Sequence, residues 1–310
     1  MGKFFAAVAV LALLALAGCA QQAADSAGEK VSGALTLVPE VPAPQNGTVN
    51  PQENELSAAE KLLEKVAPSE GVVLPVKWND VLVKTVDAGA IDLNEYKAAL
   101  SGYGAELSPE HEKILLDGSD ENISFTPENA LFNLNMLWAL GLVNKNPILT
   151  EGKISTYEER GRFASTGGWT LGAKPGGELL ATATIIVLTP EQQALVEEVT
   201  ENVFRPCCNN STAFPDCNHG MAALALAELM ASQGATREQI YDALLVANSY
   251  WFTQHYVNVA ALLEQEGKSW ESADAKELLG AQYSSYNGSV FVRKALKELP
   301  QIEGSASCAV

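Results

Sequence analysis

Read for the spacing of apolar and polar positions, the chain falls into three stretches. Phe4 to Leu16 is an unbroken apolar run, and Ala20 to about Glu55 keeps neither a period of two nor one of 3.6. From Leu56 onward apolar positions recur at helical spacing, punctuated by helix-start signals. Ser108-Pro109-Glu110, Thr126-Pro127-Glu128 and Thr189-Pro190-Glu191 each place a hydroxyl N-cap, a proline in the first turn and an acid beside it. Thr236-Arg237-Glu238-Gln239 has the spacing of a capping box. The pattern predicts helices over about 56–66, 78–88, 92–100, 109–116, 127–142, 270–279 and 289–298, and one opening at Thr189. A helical hairpin is expected over 219–266, its turn at Gly234 and its end at Gly267. The expected fold class is therefore mainly α, a multi-helix globular body.

Residues 161–193 depart from this pattern, with six glycines at Gly161, Gly167, Gly168, Gly172, Gly176 and Gly177. Such a segment serves as a binding loop or as a mobile cover. The run Ala181 to Leu188 that ends it reads equally as a short strand or as the buried start of the next element. A subdivision of the body near 150–190 stays open. The segment contains neither a P-loop nor a dinucleotide-binding glycine pattern.

Lys3 ahead of the first apolar run, and the shortness of that run, give a secretory signal rather than a membrane span. Its end, Leu16-Ala17-Gly18-Cys19, resembles the lipobox of bacterial lipoproteins. The resemblance implies cleavage before Cys19, acyl chains on that cysteine and a bilayer as partner. It places the protein in the bacterial cell envelope, facing the periplasm or the exterior. Ala20 gives no inner-membrane retention signal. The organisation expected is a signal peptide at 1–18, a tether at 19–55 and a helical domain at 56–310. As a flexible coil of about 35 residues, the tether would hold the body roughly 30 Å from the membrane.

A formal charge of −18 argues against nucleic acid as a partner. Neither G-x-S-x-G nor H-E-x-x-H occurs, so hydrolase chemistry finds no support. The chemistry concentrates in one loop, RPCCNNSTAFPDCNHG at 205–220, which holds three of five cysteines and one of three histidines.

Cys207, Cys208, Cys217 and His219 follow the spacing C-C-x8-C-x-H, with Asn218 as the expected N-cap of the next helix. A helix N-terminus favours thiolate over thiol, as metal binding and thiol exchange both require. Three thiolates and an imidazole make a soft site suited to zinc or copper, with Asp216 as a substitute ligand. Adjacent cysteines are awkward for one ion because their side chains diverge. A structural disulfide from Cys207 or Cys208 to Cys217 is the second reading, with Cys308 available to the cysteine left over. His255, in the aromatic run Tyr250 to Tyr256, reads as core or as an extra ligand, and His111 as a surface residue.

The third reading comes from a resemblance. Arg205, Cys208-Asn209-Asn210 and Gly234-Ala235-Thr236-Arg237-Glu238-Gln239-Ile240, within 204–246, resemble the cysteine segment of the cytochrome c maturation thiol reductases, the haem lyase subunit proteins. There, an arginine precedes a C-x-x-C pair, and two helices follow. The resemblance implies thiol–disulfide exchange with an exported protein partner through Cys207, Cys208 and Cys217. C-C stands here in place of C-x-x-C.

The functions expected are thus a membrane-anchored lipoprotein binding a soft metal ion or a metal-dependent cargo, an extracytoplasmic thiol–disulfide oxidoreductase, or a structural envelope lipoprotein with a stapled loop. Binding rather than turnover is the first of these.

Overall fold

The computed structural model describes residues 56–302 except Tyr103. The signal segment, the tether, Cys19 and Cys308 lie outside the described residues. The described chain is mainly helical, with a single two-stranded antiparallel sheet among those residues. None of its helices is long and apolar enough to cross a membrane.

Most start signals act as the sequence indicates. Ser57, Thr189 and Thr236 close capping boxes with Glu60, Gln192 and Gln239, and Ser108 caps Pro109–Asp117 by accepting from the His111 amide. Thr126-Pro127-Glu128 instead forms a turn, and the helix begins at Ala130. Thr126 and Asn129 exchange hydrogen bonds between backbone amide and side chain, which holds that turn back from the helix.

Helix Ala130–Val143 is apolar almost all round and helix Asn218–Ser232 nearly so, and both are buried, as helices without a polar face must be. They pack on each other at the centre of one apolar core that runs from Leu62 to Val292. Their close crossing needs Gly141: a Cβ there would stand 2.4 Å from the Met221 carbonyl oxygen. Helices Pro190–Asn202 and Arg237–Trp251 flank the central one.

The structure differs from the sequence pattern in four places. The strands Val72–Asn79 and Ser119–Phe125 pair where a helix from 78 and no strand were expected. Leu74, Val76 and Trp78 alternate inward along the first strand, and Pro75 falls on an outward position, where it breaks no core contact. The long helix expected to close at Gly267 is interrupted at Phe252, whose non-helical backbone (φ −131°, ψ 47°) separates Arg237–Trp251 from Thr253–Gln265. The stretch at 270–279 is a short 3-10 turn, Trp270–Ser272, followed by Ala275–Leu279, and the last helix is Tyr286–Ala295. The glycine-rich segment forms short turns and helices rather than a strand. Ala183 makes a single parallel bridge to Asn144.

That segment is a fixed cover. Trp138 donates its indole N–H to the Ser165 carbonyl, Trp169 donates to that of Ala90, and the Ser165 amide donates to the Asp216 carbonyl in the cysteine loop. Tyr157, Phe163 and Phe214 close the join as three edge-on aromatic pairs.

Candidate functional site: a three-sulfur loop on a buried arginine

The loop from Val203 to Cys217 links helices Pro190–Asn202 and Asn218–Ser232 and is tied to four neighbours. Thr212 donates its amide and its hydroxyl to the Val203 carbonyl, and Phe204 donates its amide to Leu279. Asn248 donates to the Phe204 carbonyl from helix Arg237–Trp251. The Tyr286 and Asn287 amides reach the Cys208 carbonyl and the Asn209 side chain from the last helix. A loop so held keeps its side chains in fixed relation.

Arg205 organises its interior. The side chain is 1% exposed, and its guanidinium donates to the Cys217 sulfur (3.1 Å), the Asn210 carbonyl (2.9 Å), the Phe214 carbonyl (3.2 Å) and the Asp216 carboxylate (2.8 Å). Asp216 in turn accepts from the Asn210 amide side chain at 2.7 Å. A guanidinium can be buried only when its donors are taken up in this way. Gly220 makes the room, since a Cβ there would meet the guanidinium carbon at 2.5 Å.

Around this core the three sulfurs converge. The sulfurs of Cys207, Cys208 and Cys217 lie within 4.8 Å of one another, and that of Cys207 is 3.4 Å from that of Cys217. The expected divergence of adjacent cysteines is overcome by a turn in which the Cys208 amide donates to the Arg205 carbonyl, folding the two side chains to the same side. All three are free thiols, each partly buried.

Cys217, not Asn218, is the N-cap of the central helix: its sulfur accepts from the Gly220 amide at 3.3 Å. Hydrogen bonds from the Cys207 and Cys208 thiols, then the charge of Arg205, hold Cys217 well below the ordinary thiol range against its burial. Cys207 is pushed up by its hydrogen bonds to Cys208 and Cys217 and by burial. Cys208 is raised to about 11: its bond from Cys207 lowers it, but its bond to Cys217 and burial prevail. Within the trio, the hydrogen bonds and the arginine charge favour the thiolate form at Cys217 over Cys207 and Cys208.

The other residues singled out in the sequence stand differently. Asp216 serves Arg205, although its carboxylate lies 3.8 Å from the Cys208 sulfur. His219 packs on Phe252 and Trp251, with ring centroids 4.4 and 5.8 Å away, and its Nδ1 is buried without a partner. Burial lowers it to about 4. His255 packs on Tyr256 and is likewise lowered to about 4 by burial. Neither histidine nor Asp216 joins the mutually close sulfur group. His111, expected at the surface, is half-buried and stacks on Phe132 at 3.8 Å.

Two residues went unnoticed in the sequence reading as parts of the interior. Arg205 was quoted only for its place before the cysteines. Glu228, in the middle of the central helix, is 1% exposed and accepts from the Asn144 side chain at 2.9 Å. Burial raises its carboxyl to about 8, so it is a neutral acid at pH 7. A lone acid in the run MAALALAELMAS is the signal that could have found it.

No family model, no curated protein and no solved structure matches the chain.

Proposed function

We propose that this protein is a membrane-anchored lipoprotein that binds one soft, thiophilic metal ion through Cys207, Cys208 and Cys217. The observation that supports this reading is the convergence of three sulfurs within 4.8 Å of one another on a loop pinned by its neighbours. Thiolate donors suit zinc and Cu(I). The Arg205 and Gly220 N–H groups favour the thiolate that a first metal–sulfur bond needs at Cys217, and would continue to donate to it, as outer partners of metal ligands do. Binding would expel the thiol protons of Cys207 and Cys208, so affinity rises with pH.

The test is elemental analysis and thiol counting on protein purified under argon without chelator. About one metal per chain is expected, lost in Cys208→Ala and lost with a drop in melting temperature on chelation. Absence of metal from reduced protein, together with no uptake of zinc or Cu(I), would sink the reading.

A second reading rests on the 3.4 Å between the Cys207 and Cys217 sulfurs, a separation that a small side-chain rotation closes to a disulfide. Thiol–disulfide exchange with an exported partner, or a plain staple, would follow. Intact mass on aerobically purified protein separates these from metal binding: a chain two protons lighter and free of metal favours the bridge.

A further inference from the structure

We propose that the three-sulfur loop captures trivalent arsenic or antimony, and that arsenite is a better ligand for it than zinc. This rests on the reading of the trio as an ion site and concerns which ion it suits. The argument has three parts: donor number, spacing and charge.

Among the described residues the donors that come together are three sulfurs and nothing else. Closed zinc sites are four-coordinate, and an open fourth position belongs to catalytic ones. Trivalent arsenic carries a lone pair and is complete with three bonds. His219, the nearest candidate for a fourth donor in sequence, is committed to Phe252 and Trp251.

Spacing points the same way. Thiolates at about 2.3 Å from tetrahedral zinc stand about 3.8 Å apart. A pyramidal centre of similar bond length has narrower angles and draws its sulfurs closer; one pair, Cys207 and Cys217, already stands at 3.4 Å, and Cys208 lies within 4.8 Å of both and closes on the ion.

Charge decides between ions that all like sulfur. Three thiolates around trivalent arsenic are neutral, around zinc they carry one negative charge and around Cu(I) two. The buried cation of the loop, Arg205, is shared between the Asp216 carboxylate at 2.8 Å and the Cys217 sulfur at 3.1 Å, so it offsets an anionic complex only in part. A neutral complex is the one that a partly buried site takes up at least cost.

The reaction is a condensation that needs no oxidant or reductant. Arsenite, As(OH)3, exchanges three As–O bonds for three As–S bonds and releases three waters. The three thiol hydrogens leave with the three hydroxyl groups as water, any sulfur already deprotonated drawing the matching proton from solvent, and arsenic stays trivalent throughout.

The experiment uses full-length protein in detergent with Cys19→Ser and Cys308→Ser, so that the trio supplies its only thiols, titrated separately with arsenite, zinc and Cu(I). Intact mass under native conditions should rise by one arsenic less three protons, with a sulfur-to-arsenic charge-transfer absorption that saturates at one equivalent. Arsenite should displace prebound zinc. Cys207→Ala, Cys208→Ala and Cys217→Ala should each weaken arsenite by more than the roughly 10–100-fold that disturbing an outer partner of a metal site costs. Cys208→Ala serves as the main variant because the Cys208 sulfur neither caps a helix nor accepts from the Arg205 guanidinium, and circular dichroism checks its fold. Zinc or Cu(I) uptake without arsenite uptake overturns this inference and leaves the ion site standing. No uptake of any of the three overturns both. Arsenite binding unchanged in Cys208→Ala overturns the three-sulfur complex in favour of a dithiol.

Discussion

Replacing Arg205 by alanine would leave Asp216 facing no cation and the Cys217 sulfur without its guanidinium donor, and would empty the space that the buried side chain fills. Breaking a buried pair by removing one partner costs about 3–5 kcal/mol. Arg205→Ala should therefore unfold at markedly lower denaturant, and Arg205→Lys should recover only part of the loss, because an ammonium cannot reach a sulfur, two carbonyls and a carboxylate from one plane. Denaturation curves of the three proteins decide this, and equal midpoints would show that the guanidinium is no support. Glu228 offers the opposite experiment. Its carboxyl is raised from the ordinary value of 4.5 to about 8 by burial, so the folded chain holds a proton that the unfolded chain has released. That contribution is full below about pH 4.5, shrinks as pH rises and is gone above pH 8, a change of order 4 kcal/mol. Glu228→Gln should flatten the fall in melting temperature between about pH 4.5 and 8; an unaltered slope would assign the fall to other groups.

At the scale of elements, legibility followed the strength of local chemistry. Helices opened by Ser57, Ser108, Thr189 and Thr236 begin where their caps stand, because a side-chain oxygen accepting an orphan amide is a local event written within four residues. The capping boxes should carry ordinary weight: Thr236→Ala is expected to cost about 1 kcal/mol, read as a shift of the thermal midpoint. The strands were hidden for a different reason. Ser119–Phe125 is mostly polar, with only Ile123 and Phe125 fully buried, and its strand state depends on pairing with residues some forty positions earlier. The break at Phe252 was equally invisible. Nothing in Tyr-Trp-Phe-Thr-Gln opposes a helix, and the interruption sets Trp251 and Phe252 against His219, a tertiary demand. In the cysteine loop the spacing gave the three sulfurs but not their convergence, which rests on the Arg205 to Cys208 turn, and it gave no reason to set His219 apart.

Taken whole, the molecule combines a strongly acidic chain with a small set of buried ionisable groups of opposite leaning. His255 is lowered to about 4 by burial; the Tyr283 backbone opposes that shift and Arg293 reinforces it. The unfolded chain therefore takes up a proton below about pH 6.5 that the folded chain refuses, and stability falls as pH drops toward 4 by about 3 kcal/mol from this residue. Together with Glu228 this predicts a maximum of stability on the acid side of neutrality, and His255→Gln should extend it downward. The proposed anchoring belongs to this scale also: Cys19→Ser should abolish incorporation of labelled fatty acid and leave the apolar leader uncleaved, and undiminished labelling would remove lipidation from the reading.

The sulfur of Cys217 begins the central helix in the place where oxygen usually does. One lone pair of that sulfur is thus engaged by the Gly220 amide, in the first turn of the helix that fills the core. Whatever happens at that sulfur is reported along the backbone. The Gly220 amide proton should shift in an NMR spectrum when an ion binds, when a bridge forms or when an alkylating reagent arrives, each by a different amount. The protein carries its own indicator, readable at a single peak without any added probe.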